Sequence, residues 1–455
     1  MVFSNKILQK LYYYSLIYIS ISIPFQLKFL PFTAGIIMLG LIWFLRGDII
    51  IKLKIIIKNP YAISMGALYF TYLISLFYSD NTSYAYKDLI LKSPLLLIPL
   101  FLVSLEKITQ IQFNNVLKVF AISTFLSAII TIVVGYYNYT QTGLVKYFFY
   151  HDLTIFMHSA YYALYSLCAI AIFIYLFHNS PSNKKKIIYS IMALGLSLFL
   201  FLLSSRMQIL IFLFALTIYI LALYVKKRRI YFGTFILLLS YVGIFFLVTK
   251  MPKTSDRFQQ TKEHIKNINF SKTNSDARVQ IWFAALNVIK SNYLFGTGVG
   301  DVKDMLLNEY ELLSNGKSKL VDNKIEEIKR NRKWLNHIKI KAIENNIKVE
   351  DQLYEDAIYV LNDKRSRYKY FIKKGYNYHS QYLQTISAVG ILGLFSLLFS
   401  LLFPIYKLGY RKKKYLLSAF LIMFFISFIS ESFLEREAGV ILYAFFSSFL
   451  SLDLE

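Results

Sequence analysis

Three basic residues stand where the chain turns from apolar to polar sequence. Arg206 lies between two apolar runs, and Arg278 and His379 lie in a long polar segment. A guanidinium group is always charged and binds phosphate or carboxylate oxygens through two parallel hydrogen bonds. A histidine with an ordinary pKa near ~6.5 can take a proton from a hydroxyl group. These residue types therefore allow anion binding combined with general base catalysis.

Two further groups of polar residues flank apolar runs. His151 and His158 precede one run, and Glu431, Glu435 and Arg436 follow another. Histidine and carboxylate side chains are the usual general bases and acids, and a neighbouring arginine can bind an anion. These five residues extend the set of candidates.

Each candidate also has a structural explanation. Arg206 could place its charge at the lipid–water interface while its aliphatic stem stays in the apolar phase. Arg278 and His379 could be solvated loop residues, as polar residues usually are. The two histidines before the apolar run could be interfacial, which is the favoured interpretation for His151. The Glu/Arg pair after the other run could be a water-facing helix end.

A glycine-rich segment, Gly296-Thr-Gly298-Val-Gly300, has the composition of a dinucleotide-binding turn. It follows an amphipathic stretch, residues 277–290, whereas the dinucleotide fingerprint needs a strand before its glycines. Glycine also allows unusual backbone conformations and close approach of two segments. We therefore expect a backbone turn that brings two parts of the chain together.

The sequence shows no sign of a metal or cofactor site. It has no Asp-x-Asp motif and no cluster of cysteine and histidine residues, so no metal ligand set is predicted. The single cysteine, Cys168, lies inside an apolar run. A buried structural thiol is expected there, and an intramolecular disulfide is excluded.

Membrane helices must position the candidate residues. Hydrophobic residues make up 56% of the 455 residues, above the ~45–50% usual for soluble chains. The apolar runs approach the ~20 residues that cross a ~30 Å hydrocarbon core, and they do not alternate as barrel strands do. The fold class is therefore an all-α polytopic membrane protein. About 12 transmembrane helices are predicted, at residues 11–29, 31–46, 61–78, 89–104, 116–137, 159–177, 187–204, 207–225, 230–249, 381–406, 415–432 and 438–452.

Basic residues set the predicted orientation of these helices. One set of connections carries basic blocks, at residues 46–58, 184–186, 226–229 and 411–414, whereas the alternate set holds only scattered lysines and arginines. The positive-inside rule places the basic blocks and both termini in the cytoplasm. The long segment 250–380 then lies on the outer side, together with all the candidate residues.

The long outer segment is expected to be a small, mainly helical domain. Residues 301–313, 319–343 and 349–363 have helical periodicity with Glu/Lys pairs, which stabilise helices at i,i+4 spacing. Trp282 and Trp334 offer packing surface. The predicted organisation is therefore nine membrane helices in 1–249, the loop domain in 250–380 and three membrane helices in 381–455.

The order of the polar motifs resembles that of the O-antigen ligase and polymerase superfamily. The series is Ser205-Arg206, Arg278-x3-Trp282, Phe295-Gly-x-Gly298-x-Gly300, His379-x-x-Tyr382-Leu383, Gly390-Ile-Leu-Gly393 and Glu431-Ser-x3-Glu435-Arg436-x2-Gly439. The resemblance is strongest from about residue 200 to 440, with a looser likeness in His158-Ser-Ala-Tyr161. It rests on the order and spacing of the motifs in a many-helix protein, since each motif alone is unspecific.

The resemblance implies an inverting, metal-independent membrane glycosyltransferase without a cofactor, acting at the periplasmic face of a bacterial inner membrane. Its donor would be a polyprenyl-diphosphate-linked glycan, and its acceptor a hydroxyl group of a lipid core, a glycan or a protein. The family pattern makes three residues catalytic: His379, Arg278 and Arg206. It makes six residues substrate-binding: Gly298, Gly300, His158, Tyr382, Glu435 and Arg436.

The sequence departs from the family pattern at three places. Ser380 stands where asparagine commonly follows the loop histidine, and Met207 stands where a small residue commonly follows Ser-Arg. The stretch between Gly300 and His379 is long, which indicates a helical insertion around Ser314–Tyr370. These differences leave the identity of the acceptor open.

Other functions fit the sequence less well. A transporter or lipid flippase would place ionisable groups near the middle of the membrane, whereas here they gather at one face. Nucleic-acid binding is suggested only by the net charge of +25, and the predicted topology puts the basic loop on the wrong side for it. A ligase, a polymerase and a protein O-oligosaccharyltransferase share the same site chemistry, so all three stay open.

Overall fold

The computed structural model describes residues 5–26, 31–105, 107–226, 228–249, 277–314, 318–345, 347–361 and 364–454. Within these ranges the chain is helical with short connections and contains no strand. The predicted all-α class is confirmed. The chain forms two compact units: Met1–Thr71 with Leu89–Thr261 and Phe395–Glu455, and Tyr72–Asp88 with Lys262–Leu394.

The helices are numbered in chain order. The first twelve are α1 (Asn5–Phe25), α2 (Phe32–Leu45), α3 (Ile49–Lys58), α4 (Pro60–Ser75), α5 (Thr82–Lys92), α6 (Pro94–Ser104), α7 (Gln110–Thr142), α8 (Tyr150–Leu153), α9 (Ser159–Asn179), α10 (Asn183–Leu202), α11 (Arg206–Lys226) and α12 (Ile230–Thr249). The others are α13 (Ala277–Ser291), α14 (Val302–Ser314), α15 (Ser318–Arg330), α16 (Arg332–Asn345), α17 (Val349–Leu361), α18 (Lys364–Lys374), α19 (Gln381–Pro404), α20 (Tyr415–Ser427) and α21 (Glu437–Ser451).

Six helices of the described ranges are long and apolar enough to cross a membrane: Pro60–Tyr78, Gln110–Thr142, Ser159–Asn179, Asn183–Leu202, Arg206–Val225 and Gln381–Tyr410. A seventh span results if α2 and α3, which are bent by 118° at their junction, are counted together. Three shorter apolar helices are Ile230–Phe245, Tyr415–Ser427 and Glu437–Ser451. The protein is thus polytopic, while the number of twelve spans stays a prediction.

Local sequence explains where the longest helix, α7, begins and ends. The Thr109 side chain accepts a hydrogen bond from the Gln112 backbone N–H, and the Gln112 side chain accepts one from the Thr109 backbone N–H. This reciprocal arrangement satisfies two amide groups that have no partner inside the helix. Gly143 follows the last turn with φ +70°, a conformation that glycine adopts without strain.

The structure differs from the sequence predictions in a basic connection and inside a predicted span. The basic residues Lys52, Lys54 and Lys58 lie on a helix, α3, rather than in an irregular loop. The span predicted at 381–406 is interrupted, since Val389 and Gly390 have non-helical backbone angles inside α19. Hydropathy could not show this break because the apolar run continues through it.

The inserted helices α15–α18 have a hydrophobic core of their own. It contains Val321, Ile325, Ile328, Ile338, Leu353, Ala357 and Ile358, with Trp334 packed against it. The predicted helical stretch 319–343 forms two helices that meet at Asn331, whose side chain accepts a hydrogen bond from the Trp334 N–H at 3.2 Å. The helical character of this part of the loop is as expected, and its side of the membrane stays a prediction.

Candidate functional site

The backbone around His379, in the second unit, is held in a fixed and uncommon conformation. His379 has φ +45°, a region that costs energy for most residues but that histidine enters more often than they do. Its backbone N–H donates to Asn377 Oδ1 at 3.1 Å, and the Tyr376 ring lies edge-on to the imidazole at 5.7 Å. The preceding Tyr378 is buried and its hydroxyl donates to the Val302 carbonyl at 3.0 Å. These contacts therefore hold in place the backbone that carries the half-buried imidazole.

Helix α19 begins at Gln381, directly after this segment. Its first turn carries the half-buried Tyr382 and the buried Gln381, whose Nε2 donates to Thr385 Oγ1 at 3.1 Å. The Tyr72 hydroxyl is 2.9 Å from the same Thr385 oxygen. The sequence prediction that a helix starts immediately after His379 is thus confirmed.

The glycine-rich segment enters the break in α19. The Thr297 and Gly298 N–H groups donate to the Ser387 and Ala388 carbonyls at 2.8 and 2.9 Å, and the Ile391 N–H donates to the Tyr293 carbonyl at 2.9 Å. In an unbroken helix, the Ser387 carbonyl would accept from Ile391 instead. The expected turn that brings two segments together is therefore present.

The glycine-rich segment also forms hydrogen bonds with residues 79–81, which belong to the second unit as well. The Gly300 N–H donates to Ser79 Oγ at 3.1 Å, and the Asp301 carboxylate accepts from the Asp80 and Asn81 backbone N–H groups at 2.8 and 2.9 Å. The amide hydrogens of Gly298 and Gly300 are thus used inside the protein. Any contact of these glycines with substrate would have to come from their other atoms.

Arg278 lies in the first turn of the described part of α13 and is half-buried. One turn further on is Trp282, whose indole Nε1 is buried without a hydrogen-bond partner among the described residues. The spacing of the motif Arg278-x3-Trp282 thus puts both side chains on one face of the helix.

Arg206, in the first unit, occupies the first position of α11. It follows Ser204, which has φ +49°, and Ser205, which is buried and donates a hydrogen bond to Gln208 Oε1. The link between α10 and α11 is accordingly a tight turn of three residues, 203–205. Arg206 itself is half-buried.

A second group in the first unit brings together His158, Tyr161 and Arg436. His158 precedes α9, and its Nδ1 accepts from the Ala160 N–H at 3.3 Å. The His158 ring is 4.4 Å from the His151 ring. The Arg436 guanidinium lies over the Tyr161 ring at 5.9 Å, and the Tyr161 hydroxyl donates to the Ser432 carbonyl at 3.2 Å. Residues far apart in the sequence therefore meet here.

The structure adds one residue that the sequence analysis missed, Lys92. Its ammonium group is 3.1 Å from Glu435 Oε1, and the two side chains are 1% and 13% exposed. The sequence does contain a sign of this ion pair, since Lys92 directly follows the apolar Leu89-Ile-Leu. A cation buried in a membrane segment is costly and is usually paired with an anion. Nearby Glu431 is also buried, at 7% exposure.

Four of the basic candidates share a position at the start of a helix. Arg206 lies in the first turn of α11, His158 and Arg436 directly precede α9 and α21, and His379 stands two residues before α19. The N-terminal end of a helix carries partial positive charge, so it disfavours cations and favours anions. Arginines placed there are suited to an anionic ligand.

Comparison with known families gives one match. The family model described as O-antigen ligase matches residues 190–328. This segment is thus similar to the O-antigen ligase family. It includes Arg206, Arg278, Gly298 and Gly300, so the resemblance found in the motif order is confirmed over the part that carries them.

The O-antigen ligase match ends within α15 and does not extend to His158, His379, Tyr382, Glu435 or Arg436. Curated proteins give no match to the chain. The family supports a membrane glycosyltransferase acting on lipid-linked glycans, without separating ligase from polymerase. Within the described ranges, no three His, Cys, Asp or Glu side chains come close enough to hold a metal ion, and metal independence stays a prediction.

Proposed function

We propose that this protein transfers a glycan from a polyprenyl-diphosphate-linked donor to an acceptor hydroxyl group at the periplasmic face of the bacterial inner membrane. The observation that carries the proposal is the O-antigen ligase match over residues 190–328, the segment that holds Arg206 and Arg278. The helical, polytopic chain suits a donor whose lipid tail lies in the bilayer.

Arg206 and Arg278 are the proposed ligands of the donor diphosphate. Each guanidinium can bind two phosphate oxygens and keeps its charge at every relevant pH. Arg206 also stands in the first turn of α11, where the backbone adds positive potential. Neutralising the diphosphate makes it a better leaving group without a metal ion.

His379 is the proposed general base. In this step the acceptor oxygen attacks the anomeric carbon, and its proton passes to the imidazole. The bond between that carbon and the diphosphate oxygen breaks, and the lipid diphosphate leaves from the opposite side. A single displacement of this kind inverts the anomeric centre. The anchored backbone at His379 supports a positioned base.

The remaining residues have proposed roles in substrate binding. His158, Glu435 and Arg436 form one group in the first unit, where Arg436 can bind an anion and the other two can hydrogen-bond sugar hydroxyls. Tyr382 offers an aromatic surface next to His379 in the sequence. Gly298 and Gly300 would contribute by letting segments approach closely.

A ligase, a polymerase and a protein O-oligosaccharyltransferase differ in the acceptor and not in this chemistry. A transporter of lipid-linked glycans is the alternative from another class. It would bind the same donor but would not break the glycosidic bond to the diphosphate.

A deletion strain and a purified assay test the proposal together. Loss of glycan attachment with long lipid-linked polymer intact indicates a ligase, and single-repeat products indicate a polymerase. Purified protein incubated with lipid-linked glycan and acceptor should release polyprenyl diphosphate. Movement of the donor across vesicles without such release would contradict an enzyme and support the transporter.

A further inference from the structure

The inserted helices α15–α18 distribute their charges unevenly. The carboxylates of six residues each lie within 4.0 Å of a lysine: Asp322, Glu326, Glu327, Glu350, Asp351 and Asp356. Burial would raise the pKa of Asp351, but Lys374 and Lys373 outweigh burial and hold that pKa below its usual value. Lysines therefore balance the charge of these carboxylates.

The corner between α15 and α16 has no such compensation. Arg330, Arg332, Lys333 and Lys339 are all exposed, and none of them is paired with a carboxylate among the described residues. The one acidic residue of α16 is Glu344, in its last turn. A concentration of unpaired cations over so short a stretch attracts anions.

The exposed side of α16 also carries apolar residues among these cations. Ile340 and Ile343 are 57% and 66% exposed, whereas Ile338 and Ala342 of the same helix are fully buried in the core. Residues 332, 336, 339 and 343 are three or four positions apart and so share a face. Exposure of two isoleucine side chains to water is unfavourable, and contact with an apolar phase would remove that cost.

We propose that this cationic face, formed by Arg330, Arg332, Lys333, Lys339, Ile340 and Ile343, docks on the surface of a bilayer that carries anionic headgroups. Cations would contact phosphate groups while the two isoleucines enter the interfacial region, as in interfacial amphipathic helices. Docking would restrict the motion of the inserted helices.

Two observations favour a lipid surface over an anionic glycan. The cationic face exposes two isoleucines, which contribute nothing to binding hydroxyl groups. The chain also keeps these helices near a membrane, since only residues 375–380 separate α18 from α19, whose apolar stretch is long enough to span it. Such tethering makes weak contacts effective.

Fluorescence quenching in nanodiscs tests the proposal with the full-length protein. A fluorophore is attached at Asn336→Cys, on the exposed side of α16, in a Cys168→Ser background. The nanodiscs contain phosphatidylcholine alone or with phosphatidylglycerol, and a headgroup-labelled quencher lipid. We expect quenching only with phosphatidylglycerol, and its loss as salt rises from about 0.05 to 0.5 M, because the Debye length shortens.

Matched variants distinguish membrane binding through this face from a general effect of the protein's positive charge. Replacing Arg330, Arg332 and Lys333 by glutamine should abolish the quenching. Replacing Lys290, Lys303 and Lys348, three exposed lysines elsewhere in the second unit, by glutamine removes the same charge and should leave it unchanged. Thermal unfolding of both triple variants checks that the fold is intact.

Three results would overturn the proposal. These are equal quenching in neutral nanodiscs, no quenching in either kind, and disulfide-linked dimers through Asn336→Cys, which would assign the face to a second copy of the chain. None of these readouts depends on glycan transfer, so the proposal stands or falls independently of the proposed function.

Discussion

At the scale of single residues, the candidates are distinguished by where they stand on helices rather than by residue type alone. A basic residue at the first turn of a helix is disfavoured by the helix dipole, yet Arg206 occupies such a position. His379 has a positive φ and a backbone held by Asn377. Energetically unfavourable placements of this kind are common at functional sites.

His379→Ala should lower glycan transfer by at least about 100-fold, the lower range for a positioned base. Expression and donor binding should change little, since the imidazole is only half-buried. The measurement is the rate of transfer by purified protein at saturating donor. His337→Ala, which alters an exposed histidine of the inserted helices, is the control. Near wild-type transfer by His379→Ala would move the search for the base to Glu431 and Glu435.

Arg206→Lys should reduce transfer although the charge is retained, because an ammonium group cannot form the two parallel hydrogen bonds of a guanidinium. Arg206→Ala and Arg278→Ala should be at least as impaired. Arg411→Lys, at an exposed position, is the matched control and should be active. Full activity of both alanine variants would exclude diphosphate binding by these residues.

At the scale of elements, the second unit depends on a broken helix and the glycine segment that fills the break. Carbonyl groups released by the break at Val389–Gly390 accept hydrogen bonds from Thr297 and Gly298. Buried carbonyl groups need such partners. The glycines are needed because a Cβ at Gly390 would lie 2.1 Å from the Leu294 carbonyl oxygen.

Gly390→Ala should therefore destabilise the protein for two reasons. Gly390 has φ +69° and ψ −165°, a combination almost confined to glycine that costs other residues about 1–3 kcal/mol. Forcing the two segments apart adds roughly 1–3 kcal/mol. Gly375→Ala is the matched control, with φ +60° and nothing within 4 Å of the added carbon. Thermal unfolding in detergent should show the larger loss for Gly390→Ala, and equal losses would refute the close approach.

The pair formed by Lys92 and Glu435 should behave as a coupled buried ion pair. Lys92→Met or Glu435→Gln alone disrupts an ion pair that is 1% and 13% exposed, and breaking such a pair costs about 3–5 kcal/mol. The double variant should lose much less than the sum, because neither charge is then left uncompensated. Unfolding of the four proteins measures this coupling, and strictly additive losses would show that the two groups do not interact.

At the scale of the whole molecule, the membrane orientation decides whether the proposed chemistry has access to its substrates. The described ranges contain six helices able to span a bilayer, or seven with the bent pair. The orientation rests on the basic blocks, such as Lys184–Lys186, which the positive-inside rule places in the cytoplasm.

Cysteine labelling in intact spheroplasts tests this orientation. In a Cys168→Ser background, a cysteine at Lys348, which lies between α16 and α17 and outside the cationic face, should react with a membrane-impermeant thiol reagent. A cysteine at Lys185 should react only after permeabilisation. Both positions are exposed in the structure, so access to the reagent depends on the side of the membrane. The reverse pattern would place the inserted helices in the cytoplasm and contradict a periplasmic reaction.

Much of the architecture was determined by the sequence alone. Apolar runs of membrane length dictate helices, because backbone groups in lipid must satisfy one another within the same segment. The helical periodicity of residues 301–313 and 349–363 predicted α14 and α17. Motif order gave the O-antigen ligase resemblance, and the family match over residues 190–328 covers Ser205-Arg206 and Arg278-x3-Trp282.

Only the tertiary structure decided how distant segments meet. No local pattern shows that α19 breaks at Gly390, because the break depends on hydrogen bonds from residues 293–298, about a hundred positions away. The pairing of Lys92 with Glu435 and of Tyr161 with Arg436 is likewise a product of folding. Periodicity reports which face of an element is buried. Packing among elements that are remote in sequence decides which partner covers that face.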